Sequence, residues 1–196
     1  MNQQTLFGVL ISMKTTEEEL ITACKNNDSK AFKHIYDKYA PKMMGVCMRY
    51  MHSRVEAEDI LQESFIKVYL NIKHYRGEGS FEGWIRRIVV NMAINKLRAD
   101  AKKELKLMDE EELKNITDSE NPTLNHDVEY KYSAKQMLDA IQKLSNMNRV
   151  VFNLAEIEGY SYTEIAKQLN ISESTARATL SRAKSILKAN LEKHSK

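Results

Sequence analysis

Ser161-Tyr162-Thr163-Glu164-Ile165-Ala166-Lys167-Gln168-Leu169-Asn170-Ile171-Ser172-Glu173-Ser174-Thr175-Ala176-Arg177 is the stretch on which the fold turns. Its spacing predicts two short-connected helices. Ile165, Ala166 and Leu169 fall on one helical face, with the small Ala166 where a second helix must approach closely. Asn170 can adopt the left-handed conformation that ends a helix, and Ser172 can cap the next one. The second helix repeats apolar residues at Ala176, Leu180, Ala183 and Leu187, so Ser172, Glu173, Ser174, Thr175, Arg177, Ser181, Arg182 and Lys184 lie off that stripe. In a helix-turn-helix such a helix enters the major groove, its first turns at base edges and its later cations on phosphates. The alternative is an ordinary antiparallel helix pair in a core. The small residue, turn, cap and basic outer face together favour the DNA-binding reading.

Outward from this motif, composition limits the fold class. The chain has 196 residues with six glycines and two prolines, which leaves little material for strand turns. The expectation is an all-α protein. Lys plus Arg number 30 against 27 Asp plus Glu, but this near balance conceals segregation. Residues 81–106 carry seven basic and three acidic side chains, residues 107–129 one basic and eight acidic, and residues 172–196 six basic and two acidic. Two basic blocks flanking an acidic spacer suggest two phosphate-facing surfaces and a linker that must not adhere to them. Asn121-Pro122 and the shortage of large apolar residues over 103–127 also mark a linker.

The first half of the chain reads as four or five helices. Asp28 caps one carrying Phe32, Ile35, Tyr36 and Tyr39, and Pro41 is expected to start another. Residues 54–72 form a helix with Ala57, Leu61, Phe65, Val68 and Ile72 inward. Its other face shows Glu56, Asp59, Gln62 and Glu63, either a solvated face or a protein-binding one. After the turn 75–79, Ser80 caps a long helix with the stripe Phe81, Ile85, Ile88, Val89 and Met92. On it Trp84, Arg87, Asn91, Asn95 and Arg98 follow at offsets of three, four, four and three. An aromatic among cations and amides suits unstacked bases, which need a ring to stack on and groups to read their edges. The alternative is a buried Trp84 with snorkelling arginines.

Other chemistry is not indicated. Cys24 and Cys47 form no CxxC, and the five histidines show no HExxH and no acidic partner at ligand spacing, so neither a disulfide framework nor a metal site is expected. No cofactor is called for, since P-loop, GxGxxG and GxSxG patterns are lacking. The apolar run at 6–11 is too short to span a membrane and does not resemble a secretory signal, which together with two core thiols suggests the cytoplasm. Met13 is a second candidate start, so residues 1–12 are either natural chain or an extension.

The segments Ala57-Glu58-Asp59-Ile60-Leu61-Gln62-Glu63-Ser64-Phe65, Phe81-Glu82-Gly83-Trp84-Ile85 and Arg87 through Arg98 resemble region two of the sigma-70 family. Residues 144–149, 158–166 and 181–184 resemble region four. With no region-three domain between them, the chain resembles an extracytoplasmic function (ECF) sigma factor. The resemblance covers about residues 17–190 and implies an N-terminal extension at 1–15, a region-two domain at 16–100, an acidic linker at 101–128 and a region-four domain at 129–192. It implies that Asp59, Gln62 and Glu63 dock the clamp helices of the RNA polymerase beta-prime subunit, with the beta flap as a further contact. It implies that Arg76, Ser80, Trp84, Arg87, Asn91, Asn95 and Arg98 open and read the minus-10 element, and that the helix from Ser172 reads the minus-35 element. The linker would run through the polymerase toward the active-site cleft and RNA exit path.

The family often has an anti-sigma factor as antagonist, though no residue here identifies one. A linker of this length also allows the two domains of the free protein to pack together and mask their DNA faces. Asn95 stands where aspartate is common, Ser145-Asn146 where Leu-Pro is usual and Ala176 where valine is frequent; the first bears on DNA contacts, the others on packing. The rival reading is a helix-turn-helix regulator that binds duplex DNA without polymerase, against which the acidic docking motif argues.

Overall fold

The computed structural model describes residues 16–105 and 132–193, which are helices and the turns between them. The first part holds α1 (Glu17–Lys25), α2 (Ser29–Tyr50), α3 (Arg54–Asn71), a 3-10 turn (Ile72–His74) and α4 (Phe81–Leu105). The second holds α5 (Ala134–Gln142), α6 (Asn146–Phe152) running into a π-helical turn (Asn153–Ile157), α7 (Tyr162–Leu169) and α8 (Glu173–Lys193). Helix α4 runs five residues into the stretch expected as linker, and residues 106–128 of that linker, with the expected extension at 1–15, lie outside the described residues. Among the described residues no helix is long and apolar enough to cross a membrane.

Local sequence starts these helices. Thr16 with Glu19, Ser53 with Glu56, Ser133 with Gln136 and Ser161 with Glu164 form capping boxes. Each satisfies two backbone N–H groups that a helix start leaves open. Asp28 begins α2 by accepting from Lys30 N at 2.8 Å and Ala31 N at 3.2 Å. Asn170 ends α7 in the expected left-handed conformation, φ 55° and ψ 49°. The Ser172 Oγ accepts from Thr175 N at 3.0 Å to start α8.

Pro41 does not start a new helix: α2 is continuous through it for 22 residues. Proline removes one intrahelical bond and disfavours the helix by about 3 kcal/mol or more. The buried stripe Ile35, Tyr39, Met43, Val46 and Tyr50 continues without a shift of phase on both sides of Pro41. Burying an apolar side chain contributes about 1.5–3 kcal/mol, so packing overrides the local signal. Helix α4 is also buried on a wider arc than the stripe read from sequence. Ile88 and Met92 are only half-buried, while Val90, Ala93, Ile94 and Leu97 are buried with Phe81, Ile85 and Val89.

The two parts share one core. Val150, Val151, Leu154, Ile165, Ala176 and Leu180 belong to the same buried cluster as residues of α1 to α4, and a smaller cluster joins Ala140, Ile141 and Leu144 to Ala183, Leu187 and Leu191. Cys24 and Cys47 sit in the larger one, where burial pushes their thiols up to about 11 and about 12. They behave as small apolar side chains with almost no thiolate at neutral pH.

The seam between the parts is polar and centred on the end of α2. Gln142 Nε2 donates to Met48 O at 2.9 Å, Asn153 Nδ2 to Arg49 O at 3.1 Å, and Arg149 Nη1 to Tyr50 O at 3.0 Å. Arg149 is fully buried, and burial lowers its pKa. Its guanidinium also donates to Ile141 O at 3.3 Å, Gln142 O at 2.6 Å and Leu144 O at 2.7 Å. Its Nη2 lies 2.9 Å from His52 Nδ1, and His52 Nε2 lies 2.7 Å from Asn146 Oδ1. A guanidinium only donates, so Nδ1 accepts and the neutral imidazole carries its proton on Nε2.

Replacing Arg149 would leave these carbonyls without their donor. Arg149→Met is expected to lower unfolding stability by about 3 kcal/mol, since buried groups left unpaired cost about 1–3 kcal/mol each. A urea titration followed by circular dichroism measures it, and a loss below about 1 kcal/mol would show that the seam contributes little to stability.

Candidate nucleic-acid interface

The face of α4 is built from its first turn. Gly77 (φ 80°) and Gly79 (φ 82°) occupy left-handed conformations in the preceding turn, which lets the chain reverse tightly. Tyr75 OH donates to Gly79 O at 2.9 Å across that turn, and Lys25 Nζ donates to Tyr75 O at 2.8 Å. The Ser80 Oγ then accepts from Gly83 N at 3.1 Å. Arg76 and Ser80 are exposed at the rim.

Trp84 is half-buried, stacked on Phe81 at 5.6 Å between ring centroids with planes 16° apart, and tilted against Tyr75 at 5.4 Å. Trp84 thus has a packed side and an accessible one, so it is neither wholly buried nor free of the core. Arg87, Asn91, Asn95 and Arg98 continue along α4 as exposed residues. The second part of the molecule reaches this row, because Gln168 Nε2 of α7 donates to Asn91 Oδ1 at 2.9 Å.

On α8, Ser172, Ser174, Thr175, Arg177 and Arg182 are exposed, whereas Glu173, Ser181 and Lys184 are half-buried. The Ser172 hydroxyl lies 2.7 Å from Ser174 Oγ and 2.8 Å from Thr175 Oγ1, a hydroxyl cluster at the helix start. Thr163 Oγ1 donates to Glu173 at 2.8 Å, fixing α8 to α7. The Arg177 guanidinium lies 5.0 Å over the Tyr162 ring and 3.5 Å from Glu173. It is thereby extended along the surface rather than folded into the core. Lys184 pairs with Glu156 at 2.9 Å.

Asp59, Gln62 and Glu63 are exposed on α3. Glu56, grouped with them in the sequence, instead accepts from the backbone N–H groups of His52 at 3.0 Å and Ser53 at 3.3 Å as a cap. The sequence reading missed the apolar part of this face: Val55, Ile66 and Leu70 are 67%, 59% and 67% exposed. They lie at offsets of four from Asp59, Gln62 and Ile66, so helical spacing alone places them on one strip with the acids. Singly exposed apolar residues are ordinary, but a contiguous apolar patch rimmed by polar groups is the kind of surface that marks contact sites. Gln62 also borders a shallow groove of about 450 Å³ between α2 and α3, whose floor includes Tyr36, Pro41, Met44 and Leu61.

Residues 35–103 match the family described as Sigma-70 region 2, and residues 134–187 match Sigma-70, region 4. The ECF RNA polymerase sigma-E factor of Haemophilus influenzae is 30% identical over 187 residues, covering 90% of this chain and 96% of that protein. The chain belongs to the ECF branch of the sigma-70 family. The RNA polymerase sigma-H factor of Pseudomonas aeruginosa is 30% identical over 186 residues, covering 90% of this chain and 94% of that one. The sigma factor RpoE of Bartonella quintana, solved with the anti-sigma factor NepR, shares the fold with a TM-score of 0.51 at 18% identity, covering 83% of this chain and 98% of that one. This sigma factor directs RNA polymerase to promoters and is not an enzyme. Its architecture is two helical domains, a region-two bundle and a region-four helix-turn-helix, joined by a linker.

Trp84 is the single tryptophan of the sigma factor, so its emission reports this face directly. Acrylamide should quench it more slowly than free tryptophan amide, and urea should raise the quenching rate. Equal rates for folded protein and free amide would show that the ring stack on Phe81 is absent in solution.

Proposed function

We propose that the sigma factor uses three separate faces in initiation. Asp59, Gln62 and Glu63, with Val55, Ile66 and Leu70, dock the clamp helices of the polymerase beta-prime subunit. The turn 76–80 and the α4 row Trp84, Arg87, Asn91, Asn95 and Arg98 take the minus-10 element as unstacked single strand. The α8 residues Ser172, Glu173, Ser174, Thr175, Arg177, Ser181, Arg182 and Lys184 face the minus-35 duplex, and the second domain also meets the beta flap. The observation that supports this reading is that Trp84 with an exposed row of arginines and asparagines on α4, exposed hydroxyls and arginines at α8, and an acidic-apolar strip on α3 are three distinct surfaces, the first two in different domains.

The chemistry of each face follows from its groups. Phosphate contacts by arginine and lysine supply affinity that falls with salt, whereas base contacts worth about 1–3 kcal/mol each supply choice of sequence. Trp84 offers a stacking surface to a base that has left the duplex, and the amides beside it offer donors and acceptors to base edges. The sigma factor acts in the cytoplasm, beside polymerase, and an anti-sigma factor is its proposed antagonist. The support for that antagonist is the fold shared with a sigma factor solved in such a complex.

Multi-round transcription with core polymerase on fragmented genomic DNA, followed by mapping of transcript 5′ ends, tests the reading. New starts sharing paired upstream elements are expected. No new starts, with no co-elution with core, would favour a polymerase-independent regulator. Leu70→Glu should weaken core binding at least about tenfold, as burial of a charge in an apolar contact costs several kcal/mol, while leaving helical content unchanged. Trp84→Ala should leave core binding intact and reduce permanganate reactivity of the opened promoter; loss of core binding and helicity instead would make Trp84 purely structural.

A further inference from the structure

Glu158, at the end of the π-helical turn, projects from the second domain onto the first. Its side chain is 4% exposed. Arg49 Nη2 donates to Glu158 Oε1 at 3.0 Å, and Arg86 Nη1 lies 3.1 Å from Oε2 and 3.3 Å from Oε1. Two guanidiniums from α2 and α4 thus share one carboxylate from the other domain. The pocket holds more donors than this carboxylate uses. Arg49 Nε is buried without a hydrogen-bond partner.

A phosphodiester presents two non-bridging oxygens sharing one negative charge, which is the charge and oxygen pattern of a carboxylate. Arginine pairs recognise both through the same fork of N–H donors. The geometry points to Arg49 and Arg86 as a binding site for a promoter phosphate, held by the Glu158 carboxylate as a stand-in while the two domains are together. Arg86 adjoins Arg87 on α4, about 100° around the helix, and is 34% exposed even with Glu158 in place. Domain separation withdraws Glu158 and leaves the two guanidiniums, with the unpartnered Arg49 Nε, free to take an anion in its place. This inference rests on the reading of α4 as the minus-10 face.

The test uses holoenzyme assembled from core polymerase and full-length protein, on a promoter fragment recovered by the 5′-end mapping above. Arg86→Gln should lower promoter affinity about three- to tenfold and reduce the slope of log K against log salt by about 0.7–0.9, the loss of one phosphate contact. Arg49→Gln should act the same way and provides a second variant should Arg86→Gln fold poorly. Glu158→Gln should leave the holoenzyme slope unchanged and raise affinity of the free protein for the same fragment at least about threefold, because fewer molecules hold the site closed. An Arg86→Gln holoenzyme with wild-type affinity and slope, together with free Arg86→Gln protein that gains affinity as Glu158→Gln does, would reduce the pair to a domain latch and overturn the phosphate site alone. A wild-type holoenzyme that selects no promoter would overturn the reading beneath it as well.

Discussion

Helix α2 ends at Tyr50 and leaves three carbonyls, those of Met48, Arg49 and Tyr50, to be satisfied by groups outside the helix. The sequence that follows, Met51-His52-Ser53, contains no glycine to form a left-handed cap, and Ser53 already begins α3. The donors come from the other domain: Gln142, Asn153 and Arg149. Arg149 adds a positive charge at the negative end of the α2 dipole, where a cation is favoured. Among the described residues no carboxylate is in hydrogen-bond contact with it; carbonyl oxygens of α2, α5 and the turn after α5 surround it. The relation between the two domains therefore depends on a backbone requirement of one helix, met by side chains that lie about a hundred positions away in sequence.

Such a seam is specific without being irreversible. Hydrogen bonds exchanged for water contribute about 0.5–1.5 kcal/mol each, or about 1.5–3 when one partner is charged. When the domains part, the α2 carbonyls, Arg149, Glu158 and its two arginines can all return to water. The apolar part is the costly one: Val150, Leu154, Ile165 and Ala176 must leave a core they share with the first domain. A mixed interface of this kind suits a protein whose two halves pack together alone and, on the proposed function, lie apart along a promoter.

What was legible in the sequence was local. Asn170, Ser172 and the stripe Ala176, Leu180, Ala183 and Leu187 specify their turn and helix within a few residues, and the structure returns each of them. The four capping boxes were equally readable as Ser or Thr followed three positions later by Glu or Gln. Pro41 misled because its local preference opposes a burial pattern that only the packed bundle reveals. Val90, Ala93, Ile94 and Leu97 fell outside the single stripe read for α4, because the helix is buried over a broad arc in the shared core. Arg149, Asn153 and Glu158 gave no sign of their partners, since charged and amide residues in a helical segment ordinarily imply solvent. Their roles are non-local, and a single sequence carries no record of which distant backbone atoms lack a donor.

The same distinction orders the proposed faces. In the packed arrangement the strip of Val55, Asp59, Gln62, Glu63, Ile66 and Leu70 stays exposed. The row on α4 is engaged at Asn91, and Arg86 beside it is occupied by Glu158. On the proposed assignment, docking on α3 requires no prior separation of the domains, whereas full use of α4 does. On that assignment the free sigma factor meets core polymerase with its DNA row partly engaged, and separation follows docking. A partner that binds the two domains at positions incompatible with the seam at Tyr50 supplies the differential affinity that such a shift demands. On the phosphate-site proposal, the acidic side chain that leaves the Arg49–Arg86 pocket is then replaced by a promoter phosphate.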